Sequence, residues 1–202
     1  STTIKRITKA YGFDKAIDML AQAGYDCLDF SFHEDFTSYC DEKLDFFKEL
    51  RKKAEAKGLK FNQAHAPFSS SFADAEQTKK RFDEIVRSME RAALLGAENI
   101  IVHPCQHMAY EDDGVPEKLF EMNMDFYGRL KPYCEEYGIH VAIENMWQYR
   151  RNSKKIMHST CSRPEEFIKY VDSLNSEWFV ACLDIGHAML VCEDPANFVR
   201  AL

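Results

Sequence analysis

Hydrophobic and polar positions along the chain follow a recurring unit: a segment with helical spacing of apolar residues, a glycine, and a short apolar run. The junctions read LAQAGYDCLDF, AEAKGLKFNQAH, ALLGAENIIVHP and CEEYGIHVAIEN. Their glycines are Gly24, Gly58, Gly96 and Gly138. Glycine adopts the left-handed conformation that ends many helices without a clash from a Cβ atom. The pattern predicts four helices that end at these glycines, each followed by a strand.

The apolar runs after the helices do not alternate with polar residues. The clearest lie at residues 100–102, 141–143 and 179–183. Continuous apolar runs are typical of parallel strands that are covered on both faces. Candidate strands begin near residues 26, 60, 99, 139 and 179. Helices alternating with such strands predict an α/β fold with a parallel sheet, either doubly wound or closed as a (β/α)8 barrel.

Two further helix starts are marked by capping residues. Ser162 and Glu165 have the spacing of a capping box, in which each side chain bonds to the backbone of the other residue. Asp194 followed by Pro195 predicts an N-cap with proline in the first turn.

Polar side chains stand at the ends of four of the five predicted strands. His65 ends FNQAH, His103 follows IIV, Glu144 ends VAIE, and Asp184 and His187 follow the last apolar run. A (β/α)8 barrel collects its chemistry at the carboxyl ends of successive strands. A doubly wound sheet gathers it at one switch point. The distribution therefore favours the barrel.

Each of these residues also has a purely structural interpretation. His65 or His103 alone is equally well explained as a core histidine with satisfied hydrogen bonds. Asp184 could cap a following helix. Glu144 is harder to explain, because an unpaired carboxylate after a buried strand costs several kcal/mol. Together, two carboxylates and three imidazoles predict a divalent-cation site, with a donor set that suits Zn²⁺, Mn²⁺ or Co²⁺ better than Ca²⁺.

The remaining polar candidates are weaker. Asp29 either contacts the site or is part of the packing. Four histidines lack a comparable position and are interpreted as surface or loop residues: His33, His107, His140 and His158. A basic run is interpreted as a solvated loop; it consists of Arg150, Arg151, Lys154 and Lys155.

Composition narrows the class of protein. The 202 residues are 46% hydrophobic and carry a net charge of −7, which argues against a broadly basic surface for nucleic acid or anionic membrane. Seven cysteines without a C-x-x-C pair predict free thiols in a reducing compartment. With no long apolar span, a cytoplasmic location is expected. The chain has no P-loop, dinucleotide fingerprint, G-x-S-x-G or H-E-x-x-H motif.

The motifs VAIENM and CLDIGHA, with HAPF and IIVHP upstream, resemble the sugar phosphate isomerase/epimerase family. Its members have a xylose-isomerase-like TIM barrel, and apurinic endonucleases of the endonuclease IV type share that superfamily. The resemblance covers essentially the whole chain, but it does not name a substrate. It implies that residues 1–202 are a single, incomplete (β/α)8 barrel domain with about strands 2–6. Strand 1 and strands 7–8 are expected to be missing.

The resemblance also implies roles for individual residues. Glu144 and Asp184 would bind one divalent ion (Mn, Co, Zn or Mg), and Glu144 would also act as the catalytic acid–base. His187 would contact substrate oxygens, with His65 and His103 also in the substrate site. In the endonuclease branch, the residues that match these three histidines are zinc ligands. The isomerase site further requires a histidine from strand 7 and a glutamate from strand 8.

The leading functional hypothesis is a metal-dependent isomerase or epimerase of a small keto-sugar or sugar phosphate, acting by proton transfer through a metal-stabilised enediolate. Trp147, Phe68 and Phe32 could line the sugar site, although core packing is the commoner fate of such aromatic residues. The alternatives are a zinc phosphoesterase acting on abasic DNA and a non-catalytic sugar-binding relative. The expected partner is a small sugar, with no nucleic acid or membrane; a homo-oligomer is compatible with the family.

Overall fold

The computed structural model describes residues 2–202, which form a parallel sheet flanked by helices. The sheet has six strands in the spatial order β1 (Thr2–Thr3), β2 (Cys27–Ser31), β3 (Lys60–His65), β4 (Asn99–Ile101), β5 (His140–Glu144) and β8 (Phe179–Cys182). A separate antiparallel hairpin consists of β6 (Trp147–Tyr149) and β7 (Ile156–His158). The five predicted strands begin within one residue of the expected positions. The additional strand β1 is two residues long, too short to produce a pattern in the sequence.

Helices lie between successive strands of the sheet and after the last one. They are α1 (Lys5–Tyr11), α2 (Phe13–Gln22), α3 (Leu44–Glu55), α4 (Ala75–Leu95), α5 (Val115–Tyr137), α6 (Pro164–Leu174), α7 (Ile185–Leu190) and α8 (Pro195–Ala201). A 3-10 helix, Glu34–Asp41, lies between β2 and α3. No helix in the described part of the chain is long and apolar enough to cross a membrane. All seven cysteines are free, as predicted.

The strand order distinguishes the two predicted architectures. Every strand pairs in parallel with the next strand of the sheet along the chain, and the order never reverses. A doubly wound sheet would reverse its order at a switch point. The winding is therefore that of a (β/α) barrel. Within residues 2–202 the outer strands β1 and β8 do not pair with each other, so the barrel is incomplete.

The part of the core that packs against β2 is rich in aromatic residues. The Phe30 ring lies 6.0 Å from Phe13 and 4.7 Å from Phe32, measured between centroids. Phe32 has no exposed surface and also packs against Phe47 of α3, at 6.1 Å. The suggestion that Phe32 lines a sugar site is therefore wrong. The side chain points into the layer between sheet and helix, where burial of an aromatic ring is most favourable.

Of the two helix caps predicted from the sequence, one is confirmed and the other is wrong. The carboxylate of Asp194 accepts a hydrogen bond from the Ala196 backbone amide at 2.9 Å, as expected for an N-cap. The capping box at Ser162 is wrong, because α6 begins at Pro164 and its N-cap, Arg163, makes no side-chain capping bond. Pro164 favours the first helical turn, which leaves Ser162 one residue too early to cap.

Gly128 within α5 and Gly138 directly after it provide a matched test of how this helix ends. Gly138 follows the helix with φ of 64°, while the exposed Gly128 lies inside it; a Cβ atom would meet nothing within 4 Å at either position. Gly138→Ala should destabilise the protein by about 1–2 kcal/mol, because alanine is strained in the left-handed region. Gly128→Ala should stabilise it by about 0.5–1 kcal/mol through helix propensity. Urea unfolding measures both, and shifts of the same sign would contradict this account of the helix end.

Candidate metal centre

The carboxyl ends of four parallel strands meet at one edge of the sheet. His65 is the last residue of β3 and Glu144 the last residue of β5, while His103 and Asp184 stand two residues after β4 and β8. Two overlapping groups result, His65–His103–Glu144 and Glu144–Asp184–His187, in each of which the potential ligand atoms lie within 4.8 Å of one another. The structure thus brings together the five residues that the sequence indicated.

Glu144 belongs to both groups and is only 4% exposed. Its Oε2 lies 2.8 Å from His103 Nε2. This contact lacks the alignment of a hydrogen bond, and Oε2 has no hydrogen-bond partner among residues 2–202. A buried carboxylate oxygen without a partner is costly, and one coordinated to a cation is not.

The electrostatic surroundings keep Glu144 ionised. Burial by itself raises the pKa of this carboxyl group. His103 lowers it, and His187 and His65 add smaller effects in the same direction; together they outweigh burial, so the pKa of Glu144 lies below its usual value. An anion at neutral pH is the form that both a metal ligand and a general base require.

Asp184 caps a helix, one of the two roles that the sequence offered as alternatives, without excluding the other. Its Oδ1 accepts a hydrogen bond from the His187 backbone amide at 2.8 Å and so caps α7. Its other oxygen, Oδ2, lies 3.8 Å from His187 Nε2. Because capping uses one oxygen only, the second remains available as a ligand.

Asp29 lies in β2, next to His65, and is only 5% exposed. Its Oδ2 accepts a hydrogen bond from Gln63 Nε2 at 2.6 Å and lies 2.9 Å from His65 Nδ1. A carboxylate only accepts, so His65 Nδ1 is the donor. Burial lowers the pKa of His65, but Asp29, together with Glu144 and Asp184, outweighs burial and raises the pKa above its usual value. The sequence left the role of Asp29 open, and the structure shows that it orients His65.

His33 lies in a loop, as expected, between β2 and the 3-10 helix, but its position next to the other histidines was not predicted from the sequence. Its ring centroid lies 5.2 Å from that of His103 and 5.7 Å from that of His65. Burial, and then charge on His103 and His65, lower the pKa of His33 to about 3, so it is neutral. The signal was present in the sequence, because His33 follows β2 at the same distance as His103 follows β4.

The other three histidines lie outside both groups. His107 is exposed and contacts Ser71, His140 stands at the opposite end of β5, and His158 contacts Ser162 from β7. As expected, none of the three lies among the potential ligand atoms of either group.

A cavity of about 390 Å³ opens beside the cluster. Its walls include His33, Phe68, His103, Trp147, Tyr149 and His187. Trp147 begins β6, and its ring lies 6.3 Å from His187. Aromatic walls with a few convergent polar groups are typical of small-molecule sites. A larger cavity of about 480 Å³ lies between α4 and α5, but it contains neither of the two ligand groups.

Comparison with known proteins agrees with this architecture. The model of the family described as xylose isomerase-like TIM barrel matches residues 17–201. Among curated proteins, the uncharacterized protein MJ1311 of Methanocaldococcus jannaschii is 29% identical over 170 residues. The match covers 82% of this chain and 54% of the relative, so the chain spans about half of that protein.

Solved structures show the same fold. A D-tagatose 3-epimerase-like protein superposes with a TM-score of 0.72 at 25% identity, over 93% of this chain and 66% of its own. The IOLI protein, solved with a bound zinc atom, superposes with a TM-score of 0.70 at 16% identity, over 93% of this chain and 62% of its own. At that identity the second match shows a shared fold alone.

Proposed function

The chain belongs to the xylose isomerase-like TIM barrel family, and from the site at its strand ends we propose that it is a divalent-metal-dependent isomerase or epimerase of a small keto-sugar or sugar phosphate. The observation that carries the proposal is Glu144, a buried carboxylate common to both ligand groups whose Oε2 has no hydrogen-bond partner within residues 2–202. The likeness to an epimerase-like protein supports a sugar substrate.

The residues fit a divalent ion. Carboxylate oxygens and imidazole nitrogens are ligands for Mn, Co, Zn and, through the carboxylates, Mg. Glu144 and Asp184 would hold the ion. When bound, such an ion supplies Lewis acidity that polarises a carbonyl and stabilises negative charge on its oxygen.

Proton transfer, substrate binding and the exclusion of water would fall to individual side chains. Glu144, ionised at neutral pH, would accept the proton from the carbon next to the carbonyl. His187, His103 and His65 would bind substrate oxygens, while Trp147 and Phe68 would exclude water from the sugar. His33, being neutral, can bind a substrate hydroxyl without adding positive charge.

A second candidate, a zinc phosphoesterase acting on abasic DNA, is favoured by one observation. The two overlapping groups offer enough nitrogen and oxygen donors for more than one ion. Charge argues against it. The net charge is −7, and in the basic β6–β7 turn Arg150 pairs with Glu111 and Arg151 with Asp112, each at 2.9 Å.

Metal stoichiometry tests the proposal. The protein, purified without chelator, is analysed by elemental mass spectrometry and then assayed on a panel of ketoses and ketose phosphates. About one ion per chain with turnover of a sugar supports the isomerase or epimerase. Two or three zinc ions with cleavage of an abasic duplex support the phosphoesterase. If no metal binds even after addition, the non-catalytic sugar-binding relative becomes the better interpretation.

The two tryptophans allow a test of the sugar site. Trp147→Ala should weaken sugar binding by about tenfold, which equals about 1.4 kcal/mol, because the aromatic wall is lost. Trp178→Phe is the control, since Trp178 packs against His140 at the start of β5, away from the cluster. In this control Trp147 is the only tryptophan, so its fluorescence reports binding directly. Equal sugar affinity in Trp147→Ala and the wild type would remove Trp147 from the site.

A further inference from the structure

Asn145 directly follows β5 and has no exposed surface. Its side-chain Nδ2 donates a hydrogen bond to the Asp184 carbonyl oxygen at 3.0 Å, and its Oδ1 accepts one from the Asp184 amide at 2.6 Å. The backbone pairing of β5 with β8 ends at Glu144 and Cys182. The Asn145 side chain therefore continues the connection between the strands beyond the last backbone pair.

The backbone of Asn145 makes a second connection. Its carbonyl oxygen lies 2.8 Å from His187 Nδ1. A carbonyl only accepts hydrogen bonds, so Nδ1 must carry the proton. In the neutral ring, Nε2 then holds the free lone pair, and Nε2 is the nitrogen nearest to Asp184 Oδ2, at 3.8 Å.

At the cap of α7, Asp184 Oδ1 also accepts a hydrogen bond from the His187 amide. Asn145, Asp184 and His187 are thus each bonded to the other two. Asn145 adjoins Glu144 in sequence, bonds Asp184 through its side chain and bonds His187 through its carbonyl. Asn145 therefore adjoins or bonds every member of one ligand group, which consists of Glu144, Asp184 and His187. Asparagine suits this position because its amide can both donate and accept, whereas an ionised aspartate offers acceptors only.

We propose that Asn145 is a positioning residue, which holds Asp184 towards a divalent cation beside Glu144 and directs the lone pair of His187 Nε2 into the same site. This inference rests on the proposed metal-dependent function. Partners that orient metal ligands typically change metal affinity by 10–100-fold when they are replaced.

The test is titration with Mn²⁺ alone, by calorimetry, of the wild type, Asn145→Asp and Asn145→Ala. Both variants should bind Mn²⁺ about 10–100-fold more weakly. The added negative charge in Asn145→Asp would by itself strengthen Mn²⁺ binding. Weaker binding by this variant would therefore reflect the lost positioning. The positioning role is therefore overturned if both variants bind as tightly as the wild type, or more tightly.

Asn123 provides the matched control. It is also fully buried, donates hydrogen bonds to the carbonyl oxygens of Cys105 and Leu119, and accepts one from the Cys105 amide. Asn123→Asp should lose comparable stability, yet bind Mn²⁺ within about threefold of the wild type, well inside the effect expected at an orienting residue. An equal loss of affinity in both asparagine variants would indicate general destabilisation and overturn the specific role of Asn145.

A second measurement needs neither a variant nor a metal. In the metal-free wild type, ¹⁵N NMR of the neutral His187 ring should show the Nδ1–H tautomer, and the Nε2–H tautomer would overturn the inference. If the wild type does not bind Mn²⁺, the proposed function fails, while the tautomer still decides whether Asn145 orients His187.

Discussion

Replacement of Glu144 by glutamine is expected to slow exchange of the substrate α-proton with solvent deuterium by about 10²–10⁴-fold, the usual contribution of a general base. The amide is similar in size but accepts protons poorly and lacks the negative charge that attracts a cation. Proton NMR of a ketose that the wild type converts, recorded in D₂O, measures the loss of the α-proton signal.

The control for this variant is Glu166→Gln. Glu166 is a partly buried carboxylate on α6 that accepts a hydrogen bond from the Tyr110 hydroxyl at 3.0 Å, and it belongs to neither ligand group. Burial, the main influence on this group, raises the pKa of Glu166, whereas the pKa of Glu144 is lowered. Exchange should continue in Glu166→Gln. Exchange at the wild-type rate in Glu144→Gln would exclude Glu144 as the base.

Addition of Mn²⁺ is expected to stabilise the folded protein strongly. At about 100 times the dissociation constant, binding to the native state alone contributes about 2.7 kcal/mol. For a chain of this size, that corresponds to an increase in Tm of about 5–10 °C. Excess EDTA should reverse the shift. Thermal unfolding followed by circular dichroism or calorimetry measures it.

Asp184→Asn should abolish this metal-dependent shift. Asparagine keeps an oxygen that can cap α7, so the main loss is the carboxylate charge beside Glu144. Asp194→Asn is the matched control, because Asp194 caps α8 in the same way but belongs to neither ligand group. A full Mn²⁺ shift in Asp184→Asn would show that Asp184 is not required for metal binding.

The positions of strands and helices were predictable because they depend on neighbours close in sequence. Apolar spacing and the glycines after the helices placed five strands to within one residue. The continuous apolar runs indicated a parallel sheet, and the polar strand ends favoured a barrel over a doubly wound sheet. The two-residue strand β1 and the short β6–β7 hairpin were not predicted, since they contain too few residues to show a period.

Five of the clustered residues were predictable from the sequence, but their geometry was not. His65, His103, Glu144, Asp184 and His187 were indicated because residues at strand ends meet at one edge of a parallel sheet. The two oxygens of Asp184 could be assigned to different partners only from three-dimensional distances. Glu144 was recognised as unusual because a buried carboxylate is costly, but its unpartnered Oε2 emerged only from the packing.

The sequence by itself determined the α/β class, the order of the five main strands, the free cysteines and the identity of the candidate ligands, because these follow from local periodicity and residue chemistry. Only the tertiary structure decided that Phe32 packs in the core, that His33 lies beside His103, and that Asn145 links Asp184 to His187. Those outcomes depend on contacts between residues far apart in the chain. A side chain's neighbours across the sheet, rather than its neighbours in sequence, set its burial, its hydrogen bonds and the direction of its pKa shift.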